Sequence, residues 1–296
     1  MKKRILQVSV LGLLIFGLHE AYDFYLYNKE KKRRASYYEN LSDTSSPTVI
    51  SLRDSIRIEY QNQYRAIHIY VPPNYEKDTS ARYPVIYMLD GESSFNDLEN
   101  MSPEWQIDEV INQAHDNGKQ TAIVIGINQA ENRDAEYTPF VNPENPDAHG
   151  AQFTEWIVNE LKPWVDSNYR TNTDAKSTTI GGISRSGMMA YYIIMTQPDF
   201  FGNALIQSPS MWVDYDRLMA MQLSVNQLKY KKFFISVGEK EGDMMISHAE
   251  SVYNKFETVI NSDQHVRFEI IPNEGHWHIT WRKSFALAFP WLMMGF

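Results

Sequence analysis

Apolar residues recur along this chain with two different periods, and the change of period divides it. From Ser55 to Tyr60 they alternate, as Ile56, Ile58 and Tyr60. After Gln61-Asn62-Gln63 they alternate again from Ala66 to Val71, as Ile67, Ile69 and Val71. Period two on both sides of a short polar break predicts an antiparallel hairpin, which Pro72-Pro73-Asn74 ends. Short unbroken apolar runs follow: Pro84 to Leu89, Thr121 to Ile127, Thr178 to Gly182, Ala204 to Gln207, Phe233 to Val237 and Val266 to Ile271. Runs of this length suit strands buried on both faces. Helical period lies between most of them. Gln152 to Val165 puts Phe153, Trp156, Ile157, Leu161, Trp164 and Val165 on one face. Ser186 to Thr196 is apolar nearly all round, as a buried helix is, and His248 to Ile260 carries Val252, Phe256, Val259 and Ile260. The alternation predicts an α/β fold: a mostly parallel central sheet flanked by helices, preceded by an antiparallel hairpin. Such sheets bind ligands at the carboxyl ends of their strands.

The first fifty residues follow neither rhythm. Lys2, Lys3 and Arg4 precede an apolar run from Ile5 to Leu18, shorter than the ~20 residues of a full membrane span. Tyr22, Phe24, Tyr25 and Tyr27 come next, then a basic cluster from Lys29 to Arg34. Residues 1–34 read as a signal or membrane-anchor segment, in preference to an amphipathic helix packed on a soluble protein. That reading implies export, periplasmic or secreted, or anchoring to the membrane. Residues 35–47, polar and turn-rich from Leu41 to Pro47, read as a linker, and 48–296 as one folded domain. With 43% hydrophobic residues, the chain can fill one large core. Its net charge of −9 argues against nucleic acid as a partner. It has no cysteine, which excludes disulfides, thiolate nucleophiles, Cys-ligated zinc and lipid on cysteine.

Candidate chemistry gathers behind the later runs. Thr178 to Ile180 leads into Gly181-Gly182-Ile183-Ser184-Arg185-Ser186-Gly187 and then the buried helix. Strand, tight turn and helix are what an exposed nucleophilic serine needs, with small residues two positions to either side. Gly182 meets that need before Ser184. After it stands Ser186, a departure from G-x-S-x-G but still small. Centring the turn on Ser186 would put Met188 in a small position, so Ser184 is the better nucleophile. The helix start favours negative charge, and the amide of Arg185 is a candidate oxyanion donor. After the last run comes Gly275-His276-Trp277-His278. His276 follows a strand end and is the candidate base. His278 competes, but falls where a helix is predicted to begin. The two form no metal motif: no third ligand stands at helix spacing and no His-Glu-x-x-His occurs. Behind Val237 stand Glu239, Glu241 and Asp243, three candidates for the acid that orients the imidazole.

These residues resemble the esterase D and enterochelin-esterase-like family of α/β-hydrolases. The resemblance spans about 48–296. It is carried by Tyr83 to Gly91, Ile125 to Asn128 with Arg133 and Glu136 to Pro139, Glu160 to Pro163, Gly182 to Ser184, Gln207 to Trp212, and Gly275-His276 with Trp281-Arg282. It implies an α/β-hydrolase fold with the order serine, acid, histidine. It favours Glu241, three residues after Gly238, as the acid. It also implies a second oxyanion amide at Gly91 or Glu92. The implied activity is a serine esterase that works through an acyl-enzyme, without cofactor or metal. The implied substrate is a small-molecule ester: a siderophore ester or an acyl or feruloyl ester of a sugar. Arg133 and Arg185 are candidates for steering an acidic substrate. Two other readings share the residues: an acyltransferase in which a sugar or lipid hydroxyl replaces water, and a non-catalytic binding protein in which Ser186 has spoiled the turn.

Overall fold

The computed structural model describes residues 20–295, apart from Asp23, Asn261 and Asp263. The apolar run Ile5 to Leu18 lies outside the described residues. Among those described, no helix is long and apolar enough to cross a membrane.

Every apolar run forms a strand. The hairpin is β1 (Val49–Ile58) and β2 (Gln63–Tyr70). β3 (Val85–Leu89), β4 (Ile123–Ile127), β5 (Thr178–Ile183), β6 (Asn203–Gln207), β7 (Lys232–Gly238) and β8 (Val266–Ile271) follow. They form one eight-stranded sheet in the order β1-β2-β4-β3-β5-β6-β7-β8. β2 pairs antiparallel with β1 and β4, and all later neighbours are parallel. The hairpin begins earlier than its alternation suggests. Val49 to Leu52 pair with Ile67 to Tyr70, and the register shifts between Leu52 and Ile56. That irregularity interrupts the period, so the first half of β1 does not read as a strand.

Period two sorts the strand residues onto two faces. Tyr87, Leu89, Ile125, Ile180, Ile206 and Ile235 join one core cluster, and Ile86, Met88, Val124, Leu205 and Phe234 join the other. The first cluster is covered by α3 (Gly150–Trp156), which runs through a π turn (Ile157–Leu161) into α4 (Lys162–Asn168), and by α5 (Arg185–Thr196) and α6 (Asp243–Ile260). The second is covered by α2 (Ile107–Asp116) and α7 (His278–Leu292). The sequence did not announce α2, because its apolar stripe is thin: Ile107, Val110, Ile111 and Ala114. The run Val266 to Ile271 is half-buried rather than doubly buried, because β8 is an edge strand: Val266 and Ile271 are buried, whereas Ile270 faces solvent.

Ahead of β1, residues 24–38 form a helix, α1. It runs on through 35–38, which read as linker. Segment 41–46 is irregular, but it is bonded to the body: Ser46 N donates to Asp108 Oδ2 at 2.7 Å and Asn96 Nδ2 to Asp43 Oδ1 at 2.7 Å. The polar residues that made this stretch look like a tether are the ones that hold it down.

Candidate active site

The end of β5 enters α5 through one residue, Ser184, held at φ 59° and ψ −120°. A side chain in that region is strained. Three backbone bonds fix it: Ser184 N donates to Gln207 O at 2.9 Å, and Ser210 N and Met188 N donate to Ser184 O at 2.9 and 3.1 Å. A Cβ on Gly182 would lie 2.2 Å from Ser186 O, and one on Gly187 2.7 Å from Gln207 O. The close approaches are therefore at 182 and 187, not at 182 and 186. Position 186 has room for a hydroxyl. Ser186 Oγ donates to Asp90 Oδ2 at 2.7 Å and accepts from Ile183 N at 2.8 Å. It is fully buried, which removes it as a rival nucleophile.

Ser184 Oγ lies 2.9 Å from His276 Nε2, and His276 Nδ1 lies 2.7 Å from Glu241 Oε2. One tautomer satisfies both contacts: Nδ1–H donates to the carboxylate and Nε2 accepts from the serine. Of the three acids behind β7, only Glu241 reaches the imidazole. Its side chain is fully buried, and its other oxygen accepts from Gly238 N at 2.7 Å and Ser208 Oγ at 2.6 Å. Glu239 instead accepts from Asn273 N at 2.6 Å, and Asp243 opens α6 at the surface. His278 stands at the first turn of α7, where burial and Arg282 push its imidazole down to about 4. It is neutral, edges onto Trp281 and makes no contact with Ser184.

The loop carrying His276 is pinned from behind. The buried Glu274 takes two bonds from Arg33 of α1 at 2.9 and 2.7 Å, one from Lys283 at 2.6 Å and one from the Trp277 indole at 2.7 Å. Burial opposes its charge, yet these donors bring the carboxyl down to about 2. Arg33 and Arg34 lie over the Trp277 ring, at 4.8 and 4.9 Å.

Arg185 is the first residue of α5, so its amide has no partner within the helix. Its side chain pairs with Asp134 at 2.9 Å. Gly91–Ser93 forms a single tight turn after β3. A Cβ on Gly91 would meet the backbone of Gly126 at 2.2 Å, so only glycine lets this turn pack on β4. Arg133 is spent on Asp90, with two bonds of 2.8 and 2.6 Å. It thus ties the turn after β3 to the loop after β4, with a longer bond of 3.4 Å from its Nη2 to Ile183 O at the end of β5, and is not a free steering charge. Around Ser184 and His276 lies a cleft of about 240 Å³, walled by Glu92, Asn100, Trp105, Gln129, Arg133 and His278.

A family model described as "Putative esterase" matches residues 58–292. The chain belongs to this esterase family. The enzyme is a carboxylic ester hydrolase. The ferri-bacillibactin esterase BesA of Bacillus subtilis is 27% identical over 253 residues, which are 74% of this esterase and 82% of BesA. The crystal structure of the BES protein from Bacillus cereus matches with a TM-score of 0.68 at 21% identity, covering 86% of this chain and 97% of that one. A ferulic acid esterase structure matches with a TM-score of 0.65 at 16% identity, covering 84% and 100%. At these identities the two structures speak for the α/β-hydrolase fold.

Gln207 to Trp212 and Trp281 entered the sequence reading as part of the family resemblance, but without a role as supporting residues of the esterase. Ser210 Oγ lies 3.1 Å from Ser184 Oγ, and Trp281 Nε1 donates to Ser208 Oγ at 3.0 Å. Both serines follow the carboxyl end of β6, so the strand-end rule was a usable signal for them. The pairing of Asp90 with Ser186, 96 residues apart, left no such signal.

Two measurements probe this geometry. Ser186→Gly restores the common motif but removes a hydroxyl bonded to a charged partner, so it should cost about 1.5–3 kcal/mol. An unchanged denaturation midpoint would remove that role. Glu92 is raised to about 7 by burial and by Asp90. Unfolded, it ionises near 4.5, so folding takes up a proton between these values and stability falls as pH rises through them. Glu92→Gln should abolish that fall, gaining on the order of 2 kcal/mol on wild type between about pH 5 and 8. Parallel stability–pH curves for the two proteins would contradict it.

Proposed function

We propose that this esterase is a serine hydrolase in which Ser184, His276 and Glu241 act as a catalytic triad. The observation that carries the reading is the continuous chain of 2.9 and 2.7 Å contacts from Ser184 through His276 to Glu241. His276 Nε2 takes the Ser184 proton as Oγ attacks the ester carbonyl. The carbonyl oxygen gains the negative charge and is held by the amide of Arg185 and by an amide of the Gly91–Glu92 turn. The tetrahedral intermediate collapses, the C–O bond to the alcohol breaks, and His276 hands its proton to the leaving oxygen. Water, deprotonated by the same imidazole, then releases the acid and restores Ser184. The buried Glu241 keeps the imidazole turned and stabilises its cationic form.

The substrate class we favour is an ester carrying an aromatic ring, either a siderophore ester or a feruloyl sugar ester. Trp105 and His278 wall the cleft with Trp281 behind them, and Gln129 and Asn100 offer polar contacts. Ser184→Ala should lower the hydrolysis of aryl esters by about 10⁴-fold or more and abolish labelling by a fluorophosphonate. Retained turnover in that variant would end the serine mechanism. A screen of acyl groups would end the substrate reading if simple acetyl esters outrun aromatic ones.

For the N-terminus we propose export or membrane anchoring. Support comes from the basic-then-apolar order of residues 2–18 and from Tyr22, Phe24, Tyr25 and Tyr27, all exposed on the helix that follows. Cell fractionation checks this: a pool found wholly in the soluble cytosol would refute it.

A further inference from the structure

A second group of acids lies under segment 41–46, and ester hydrolysis makes no use of it. Glu104, Asp108 and Glu109 meet at the start of α2, each offering an oxygen within 4.8 Å of the others. Glu104 is 1% exposed and Asp108 0%. Neither oxygen of the Glu104 side chain has a hydrogen-bond partner. Asp108 Oδ1 and Glu109 Oε2 have none either. The hydroxyl of Thr44, also unpartnered, is the polar neighbour of Glu104 on the side of the segment.

No ion pair reaches any of the three acids among the described residues. The terminus of α2 supplies only about half a positive charge against three carboxylates. Apart from Ser46 N on Asp108 Oδ2, no donor offsets their burial, and buried carboxylate oxygens left without donors need either protons or a cation.

We propose that Glu104, Asp108 and Glu109 form a calcium site, with the Thr44 hydroxyl as a further ligand. The donors are all hard oxygens, with no histidine or cysteine among them, which selects against zinc and copper. Oxygens bound about 2.4 Å from one Ca²⁺ lie at most about 4.8 Å apart, which the observed spacing satisfies. Mg²⁺ keeps several waters and a strict octahedron, which suits a site less buried than Glu104. The ion would clasp segment 41–46 to α2. It would also brace the cleft: the Glu104 carbonyl accepts from Arg282 Nε and Nη2 at 3.0 and 2.7 Å, and the next residue, Trp105, is a cleft wall.

The test uses the full chain, stripped with EGTA and titrated with CaCl₂ or MgCl₂ by calorimetry and thermal unfolding. Wild type should bind one Ca²⁺, its melting midpoint should climb with calcium concentration, and Mg²⁺ should bind more weakly. Glu104→Gln and, at a less buried position, Glu109→Gln should each weaken calcium binding by roughly tenfold or more. Both should match or exceed stripped wild type in stability, because each removes one of three like charges. If one variant does not fold, the other decides. No heat of calcium binding to wild type, with Glu104→Gln the more stable protein at every calcium concentration, would show that the acids hold protons and overturn the site. Equal affinity for Mg²⁺ would overturn the choice of ion.

Discussion

The backbone of Ser184 is the constraint on which the rest of the site depends. A serine at φ 59° and ψ −120° costs on the order of 1–3 kcal/mol, and the surrounding sheet offsets that cost. Gln207 and Ser210 bond its backbone from the β6 side, while Gly182 and Gly187 let β5, α5 and β6 approach closely enough to make those bonds. In return the hydroxyl leaves the sheet at the one place where the turns after β3, β7 and β8 also end. Ser186 extends the same logic. Its hydroxyl joins Asp90, and Arg133 joins Asp90 in turn, so the β3 turn and the β5 turn are braced as one unit.

The second requirement is electrostatic. An imidazole 39% exposed is oriented by a carboxylate with no exposure at all. Glu241 remains tolerable in that position because Gly238 and Ser208 bond its second oxygen. Glu274 repeats the arrangement one layer back, held charged by Arg33, Lys283 and Trp277. Since Arg33 belongs to α1, the helix ahead of β1 also steadies the loop that carries His276. At the start of α2, by contrast, Glu104 has no donor on either oxygen and Asp108 has one only, from Ser46 N, and this contrast singles the acids out as a place for a cation.

Much of the fold was legible from periodicity. Every unbroken apolar run became a strand, and the helix-period segments became the helices that cover the sheet. Where reading and structure differ, the cause is local. The irregular register in β1 hid half a strand, the thin stripe of α2 hid a helix, and the edge position of β8 left Ile270 in solvent. The site was legible where it follows from strand ends: Ser184 after β5 and His276 after β8. The choice among Glu239, Glu241 and Asp243 could not be made from spacing alone, since all three leave the same turn.

By itself, the sequence determined the layers of the molecule and the loops that carry its chemistry. Burial alternates with period two or 3.6 along a chain, and that information is contained in neighbouring residues. Only the tertiary structure decided which acid faces His276, why a serine fits at 186, and that Arg33 reaches Glu274 across 241 positions. These are contacts between side chains far apart in the chain. Whether two such groups meet depends on where several strands end together, and no stretch of residues encodes that alone.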